Sequence, residues 1–278
     1  MSRAGSMHAR PQCTAMLGVL LVMAGCHGGR GLGVPPLGLE RASQRTALVL
    51  PEAEVRDAAA QAYQSTLQEA RAGGVLETDP AVVARVREVF GRLVSATAAW
   101  QTDVPAWPWE IQVLRADDMD AWCLPGGRMV VHSGLLTRAG LTDDELAALM
   151  SHEMAHVLRG HPRERIAQQF AQRASGAATK QAEPLVSPDL RPQAYLPTPG
   201  APYSLAHESE ADRIGVELAA RAGFDPRAAR SMWGKLQGLP QAGTARWPAG
   251  HPYPASRLDA LDTYAQRVMP LFEQAARR

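Results

Sequence analysis

The chain has 278 residues, of which 46% are hydrophobic and 5% aromatic, with a formal net charge of +1. Roughly 200–230 of them suffice for one domain with a substantial apolar interior. So even a charge balance excludes the basic stripe or patch expected of a nucleic-acid-binding protein. Frequent Ala and Arg point to a helix-rich chain.

The N-terminus reads as an address. Arg3, His8 and Arg10 precede the apolar run Ala15–Ala24, which is about half the length of a membrane-spanning helix. The run ends in Val-Met-Ala-Gly-Cys at Cys26. That ending resembles the bacterial lipoprotein box, with Met23 where Leu is more usual, and implies a lipidated Cys26. Residues 1–25 are therefore expected to be a lipoprotein signal peptide and 26–45 a Gly/Pro-rich flexible tether, leaving 46–278 as the folded domain. No Asp follows Cys26, which favours the outer membrane by the same resemblance. Of the three cysteines, Cys13 and Cys26 lie at this end and only Cys123 lies in the domain, so no disulfide framework is expected. Cys123 reads as a small hydrophobe in a strand.

Apolar spacing predicts a helix from Pro51 to Ala72, stopped by Gly73-Gly74. Asp79-Pro80 predicts a second helix start, running to about Trp100. Alternation over Glu110–Ala116 predicts a strand. Pro125-Gly126-Gly127 predicts a turn between two more short strands, the second at Arg128–His132. Thr142-Asp-Asp-Glu145 is a capping box that opens a helix bounded or kinked by Pro162. Arg163–Gln181 is again helical in pattern. The segment from Glu183 to Tyr203 contains six prolines and reads as a long loop. A helix from Leu205 to Ala222 is closed by Gly223, Asp225-Pro226 opens the next, and a last helix starts near Ala255.

The capped helix carries His152-Glu153-Met154-Ala155-His156. Two histidines four apart put both imidazoles on one helix face, able to share a tetrahedral metal. Glu153, beside the first ligand but off its face, suits a water rather than the metal. Downstream, Glu208 and Asp212 are also four apart. Glu208 would complete a His₂Glu site for one zinc ion per chain, and Asp212 would accept the free N–H of a ligand histidine. Glu210 is read as a solvated charge and His207 as off the ligand face. His132 and His161 are read as structural or exposed.

The segments LPGGRMVVHSGLL, LMSHEMAHVLRGH, PYSLAHESEADRIGVELAARAGFDP and GHPYPASRL resemble the HtpX/CaaX-endopeptidase-type family of zinc metallopeptidases, the gluzincins. With the lipoprotein box, the likeness is to its BepA/LoiP-like periplasmic branch. Leu205 and Ala249-Gly250 depart from the family pattern without removing a ligand. The resemblance implies an α+β fold, mainly helical, with a small sheet beside the active-site helix. It implies His152, His156 and Glu208 as zinc ligands and a metal-activated water with Glu153 as general base. It also places His251 near the metal, either assisting catalysis or blocking the open position, unless it is a plain loop histidine. Arg257 either steadies the developing oxyanion or pairs with a carboxylate. The expected function is an endopeptidase for unfolded or misfolded envelope proteins, lipid-anchored in the outer membrane and facing the periplasm. Strand Arg128–His132 is expected to hold an extended peptide by strand addition. The rival readings are a chaperone or assembly factor using the same cleft with little proteolysis, and a scaffold whose zinc is structural.

Overall fold

The computed structural model describes residues 51–100, 103–168, 202–238 and 250–277. The expected signal, tether and Cys26, and most of the Pro-rich segment after Glu183, lie outside these residues. The expected mainly helical α+β architecture is present: seven α-helices around a three-stranded sheet among the described residues.

Helix α1 spans Glu52–Ala72 and buries Val55, Ala59, Ala62, Tyr63, Leu67 and Ala70 along one face. Helix α2 spans Pro80–Ala96. The Asp79 side chain accepts from Ala81 N, and Pro80 occupies the first turn, where its missing N–H costs nothing. The last predicted turn, Thr97–Ala99, tightens to a 3₁₀ helix instead of continuing as α.

The strands are β1 (Glu110–Leu114), β2 (Ala121–Leu124) and β3 (Arg128–His132). Their order is β1-β3-β2, with β1 parallel and β2 antiparallel to β3. Side chains alternate between faces. Trp122, Leu124 and Val130 pack on α1, while Ile111, Val113, Cys123, Met129 and Val131 enter the main core. Burial on both faces explains why Ala121–Leu124 reads as a continuous apolar run.

This topology corrects one expectation. β3 is the central strand, and both its edges are already paired, so it cannot accept an added peptide strand. The outer edge of β1 is partly used too, by Glu77 N donating to Val113 O and Arg115 N to Val75 O. β2 is the strand with a neighbour on one side only among the described residues.

After a single turn, α3 (Gly134–Thr137), comes α4 (Asp143–Leu158). Its capping box is complete: Thr142 Oγ1 accepts from Glu145 N at 3.3 Å, and Glu145 Oε2 accepts from Thr142 N at 2.9 Å. Every residue from Glu145 to Val157 is buried, so α4 is a central helix with no solvent face. It ends one turn before the expected Pro162. Gly160 takes φ 72°, a left-handed conformation that stops the helix. Helical backbone then resumes at His161 and runs through residue 168, with Pro162 in its first turn.

Helix α5 (Leu205–Arg221) packs along α4, with Ser204 Oγ accepting from His207 N. Helix α6 is Ala228–Gly238 and α7 is Ala255–Ala275. Asp225 does not open α6 directly. Ala228 N donates to Asp225 O, so a turn precedes the helix. Among the described residues no helix is long and apolar enough to cross a membrane.

Candidate metal centre

Helices α4 and α5 bring their polar residues face to face inside the core. His152 and His156 project from α4 with Nε2 atoms 3.2 Å apart. Glu208 enters from the first turn of α5, with Oε2 3.5 Å from His152 Nε2 and Oε1 3.5 Å from His156 Nε2. His251, just before α7, completes the group. Its Nδ1 lies 3.0 Å from Glu208 Oε1 and 3.3 Å from His152 Nε2. One donor atom from each of the four residues falls within 4.8 Å of the others, and all four are buried. Glu153 is buried beside them, its Oε1 3.5 Å from His251 Nε2. His207 is not in the group.

Asp212 and Arg257 stand behind these donors. Asp212 Oδ1 is 3.1 Å from His152 Nδ1, the position expected of an acceptor for its N–H. Arg257 resolves its two open roles in favour of carboxylate pairing. Nε and Nη2 donate to the two oxygens of Asp212 at 2.7 and 2.8 Å, and Nη1 lies 2.8 Å from Glu208 Oε2. Nη1 also donates to Pro252 O at 2.6 Å. The guanidinium lies beside the packed Trp233 and Tyr253 rings, 4.9 and 4.7 Å from their centroids. Its fork is thus committed to the Asp212 and Glu208 carboxylates.

The electrostatics favour a cation at the centre. Burial disfavours the charged form of His152, but Asp212 and Glu208 outweigh it and raise its pKa to about 9. Burial pushes His156 well down, and its histidine neighbours add to that effect against Glu208. Burial alone would raise Glu208, yet His251 and His152 hold its carboxyl well below the usual range. An anionic carboxylate among imidazoles calls for one positive charge, which a proton or a metal ion can supply.

The family model of peptidase family M48 matches residues 80–265. The chain belongs to peptidase family M48. Its members are metal-dependent, and the His152–His156–Glu208–His251 group can hold a metal. The chain is 28% identical over 225 residues to the beta-barrel assembly-enhancing protease of Escherichia coli (strain K12), covering 76% of this chain and 44% of that one. It is 34% identical over 162 residues to the mitochondrial metalloendopeptidase OMA1 of Schizosaccharomyces pombe, covering 56% and 46%. To the human mitochondrial metalloendopeptidase OMA1 it is 27% identical over 228 residues, covering 76% and 42%. The chain thus spans less than half the length of these relatives.

One residue of this M48 domain was misread from the sequence. Glu210 is not a solvated charge. Arg159 Nε donates to its Oε1 at 2.7 Å, and its Oε2 lies 3.1 Å from His161 Nε2. His161 is fully buried, with Nδ1 3.0 Å from His156 Nδ1. Tyr203 also escaped notice; its ring stacks on His156 with centroids 3.9 Å apart. The available signal was positional: His161 starts the turn of helix just after α4, one turn beyond His156 and past the Gly160 break. Cys123 behaves as expected: burial, then the charge of Glu153, raises its thiol well above the ordinary value.

Proposed function

We propose that this M48 domain is a zinc-dependent endopeptidase of the bacterial envelope, acting on unfolded or misfolded proteins. The observation that carries the reading is the buried donor group with a second, non-ligating carboxylate, Glu153, beside it. Nitrogens bound to zinc at about 2.0–2.1 Å in a tetrahedron lie about 3.3–3.4 Å from each other. The separations of 3.2 and 3.3 Å from His152 Nε2 to His156 Nε2 and His251 Nδ1 support zinc as the ion. When bound, zinc supplies Lewis acidity, acidifying a water and polarising the scissile carbonyl.

The protein's own groups do the rest. Glu153 takes a proton from the attacking water and delivers it to the departing amine nitrogen. Asp212 and Arg257 hold His152 in place. His251 closes the fourth side of the donor group, so it must swing away before water and substrate enter. β2, the strand with a neighbour on one side only among the described residues, replaces β3 as the edge for an extended substrate. The strand packs against α4, the helix that carries Glu153, which supports β2 as the strand beside the general base. Main-chain pairing there would tolerate many sequences, in keeping with unfolded substrates.

The envelope location rests on the Ala24-Gly25-Cys26 box, read as a lipid anchor in the outer membrane, and on a relative whose name ties it to beta-barrel assembly. The test is a casein digest with wild type, Glu153→Gln and a chelator. Glu153→Gln should keep zinc and lose about 10²–10⁴ in rate. Cleavage at the wild-type rate by Glu153→Gln, or no zinc in folded wild type, would overturn the reading.

A further inference from the structure

We propose that His161 and Glu210 are positioning residues that set the tautomer of His156 and thereby its capacity to bind metal. The inference rests on the metal-site reading above. Neither residue belongs to the donor group.

The hydrogen bonds run in one direction from Arg159. A guanidinium only donates, and Arg159 Nε donates to Glu210 Oε1 at 2.7 Å. The other oxygen of this carboxylate faces His161 Nε2 at 3.1 Å. An ionised carboxylate only accepts, so Nε2 of His161 carries the hydrogen. In a neutral imidazole the second nitrogen is then an acceptor. That nitrogen, Nδ1, faces His156 Nδ1 at 3.0 Å. His156 must therefore donate from Nδ1, which leaves its Nε2 bare. Nε2 is the atom turned toward His152 and Glu208, and a bare nitrogen is what a metal ligand has to offer.

Stacking holds the rings in these orientations. Tyr203 lies on His156 at 3.9 Å and 21°, and His207 lies on His161 at 4.3 Å and 15°. His207 is itself 3.2 Å from Glu164 Oε2. The other ligand obeys the same logic with one ring fewer: Arg257 commits Asp212, and Asp212 faces His152 Nδ1. In both arms an arginine fixes a carboxylate as acceptor, and the direction of the hydrogen bonds follows from that end.

The decisive variant is Glu210→Gln, which changes shape little. Arg159 would keep the amide oxygen, turning the amide NH₂ toward His161 Nε2. Both links would then reverse, moving the hydrogen of His156 onto Nε2. Long-range ¹⁵N–¹H NMR of the metal-free full chain should show His156 protonated at Nδ1 in wild type and at Nε2 in Glu210→Gln. Zinc affinity, read by competition with a chromogenic chelator, should fall about 10–100-fold. The thermal midpoint of the metal-free protein should stay close to wild type. His161→Leu should lose affinity similarly, while His161→Asn, whose carbonyl can accept near the old Nδ1 position, should recover most of it. Wild-type tautomer and wild-type zinc affinity in Glu210→Gln would overturn the proposal. A wild type that binds no zinc would instead overturn the metal-site reading, and the NMR pattern would still decide this one.

Discussion

Gly215 on α5 lies directly against the backbone of His152 on α4. A Cβ at position 215 would come within 2.9 Å of His152 N and 3.0 Å of His152 Cα. Side-chain carbons do not approach backbone that closely, so the two helices can meet here only through glycine. The same two helices carry His152, His156 and Glu208. The spacing of the metal donors is therefore set partly by the absence of one methyl group.

Gly215→Ala should push α5 from α4. Overpacking of this kind typically costs about 1–3 kcal/mol. Because the displaced helices hold opposite sides of the donor group, zinc affinity should fall along with the thermal midpoint. Titration and melting of the purified variant check both. A variant with wild-type affinity and midpoint would show that the contact relaxes without moving the ligands.

His251→Ala should raise basal peptidase activity. On the proposed mechanism His251 Nδ1, 3.3 Å from His152 Nε2 and 3.0 Å from Glu208 Oε1, stands where substrate and water would enter. Removing the ring opens that side. If His251 instead steadies the oxyanion, turnover should slow by about 10²–10³. Initial rates on a fluorogenic unfolded substrate separate the two.

Arg257→Lys should behave as a loss of bracing. Lysine cannot reproduce the two-pronged contact with Asp212 while also meeting Glu208. The expected result is weaker zinc binding and a lower melting point, with the rate per zinc-loaded molecule less affected. A large fall in kcat with unchanged zinc affinity would restore the oxyanion role.

Acid should weaken the junction of α4 and α6 through Glu145. Burial alone would push this carboxyl up, but Lys235, Thr142 and Ser231 outweigh it and hold its pKa below the ordinary value. Lys235 Nζ and Ser231 Oγ donate to it at 2.6 and 2.8 Å. A carboxyl lowered in the folded state stabilises at pH values above its unfolded pKa of about 4.3. That contribution fades as pH falls through the folded value. Melting curves of wild type and Glu145→Gln should therefore differ at pH 7, and the gap should close as pH falls through the lowered folded pKa of Glu145. A gap that stays equal as pH falls would mean that Glu145 contributes by shape and not by charge.

Much of the site was legible in the chain because its signals are local. His152 and His156 share a face through the pitch of one helix, Thr142 and Glu145 close a cap three residues apart, and Glu208 and Asp212 repeat the four-residue spacing on α5. Helix starts at Asp79 and Thr142 follow from side chains reaching their own backbone. None of these needs knowledge of what lies across the core.

What only the tertiary structure decided are partnerships between distant segments. Glu210 looks like a surface charge on its own helix, and becomes the anchor of His161 because α5 lies beside the turn after α4. Arg257 could serve an oxyanion until Asp212, 45 positions earlier, is seen to take its fork. β3 reads as an edge strand until β1, separated from it by β2 in sequence, pairs along its other side. Periodicity reports which face of an element is apolar. It carries no information on which polar group meets another across a buried interface, because that is set by how the elements pack.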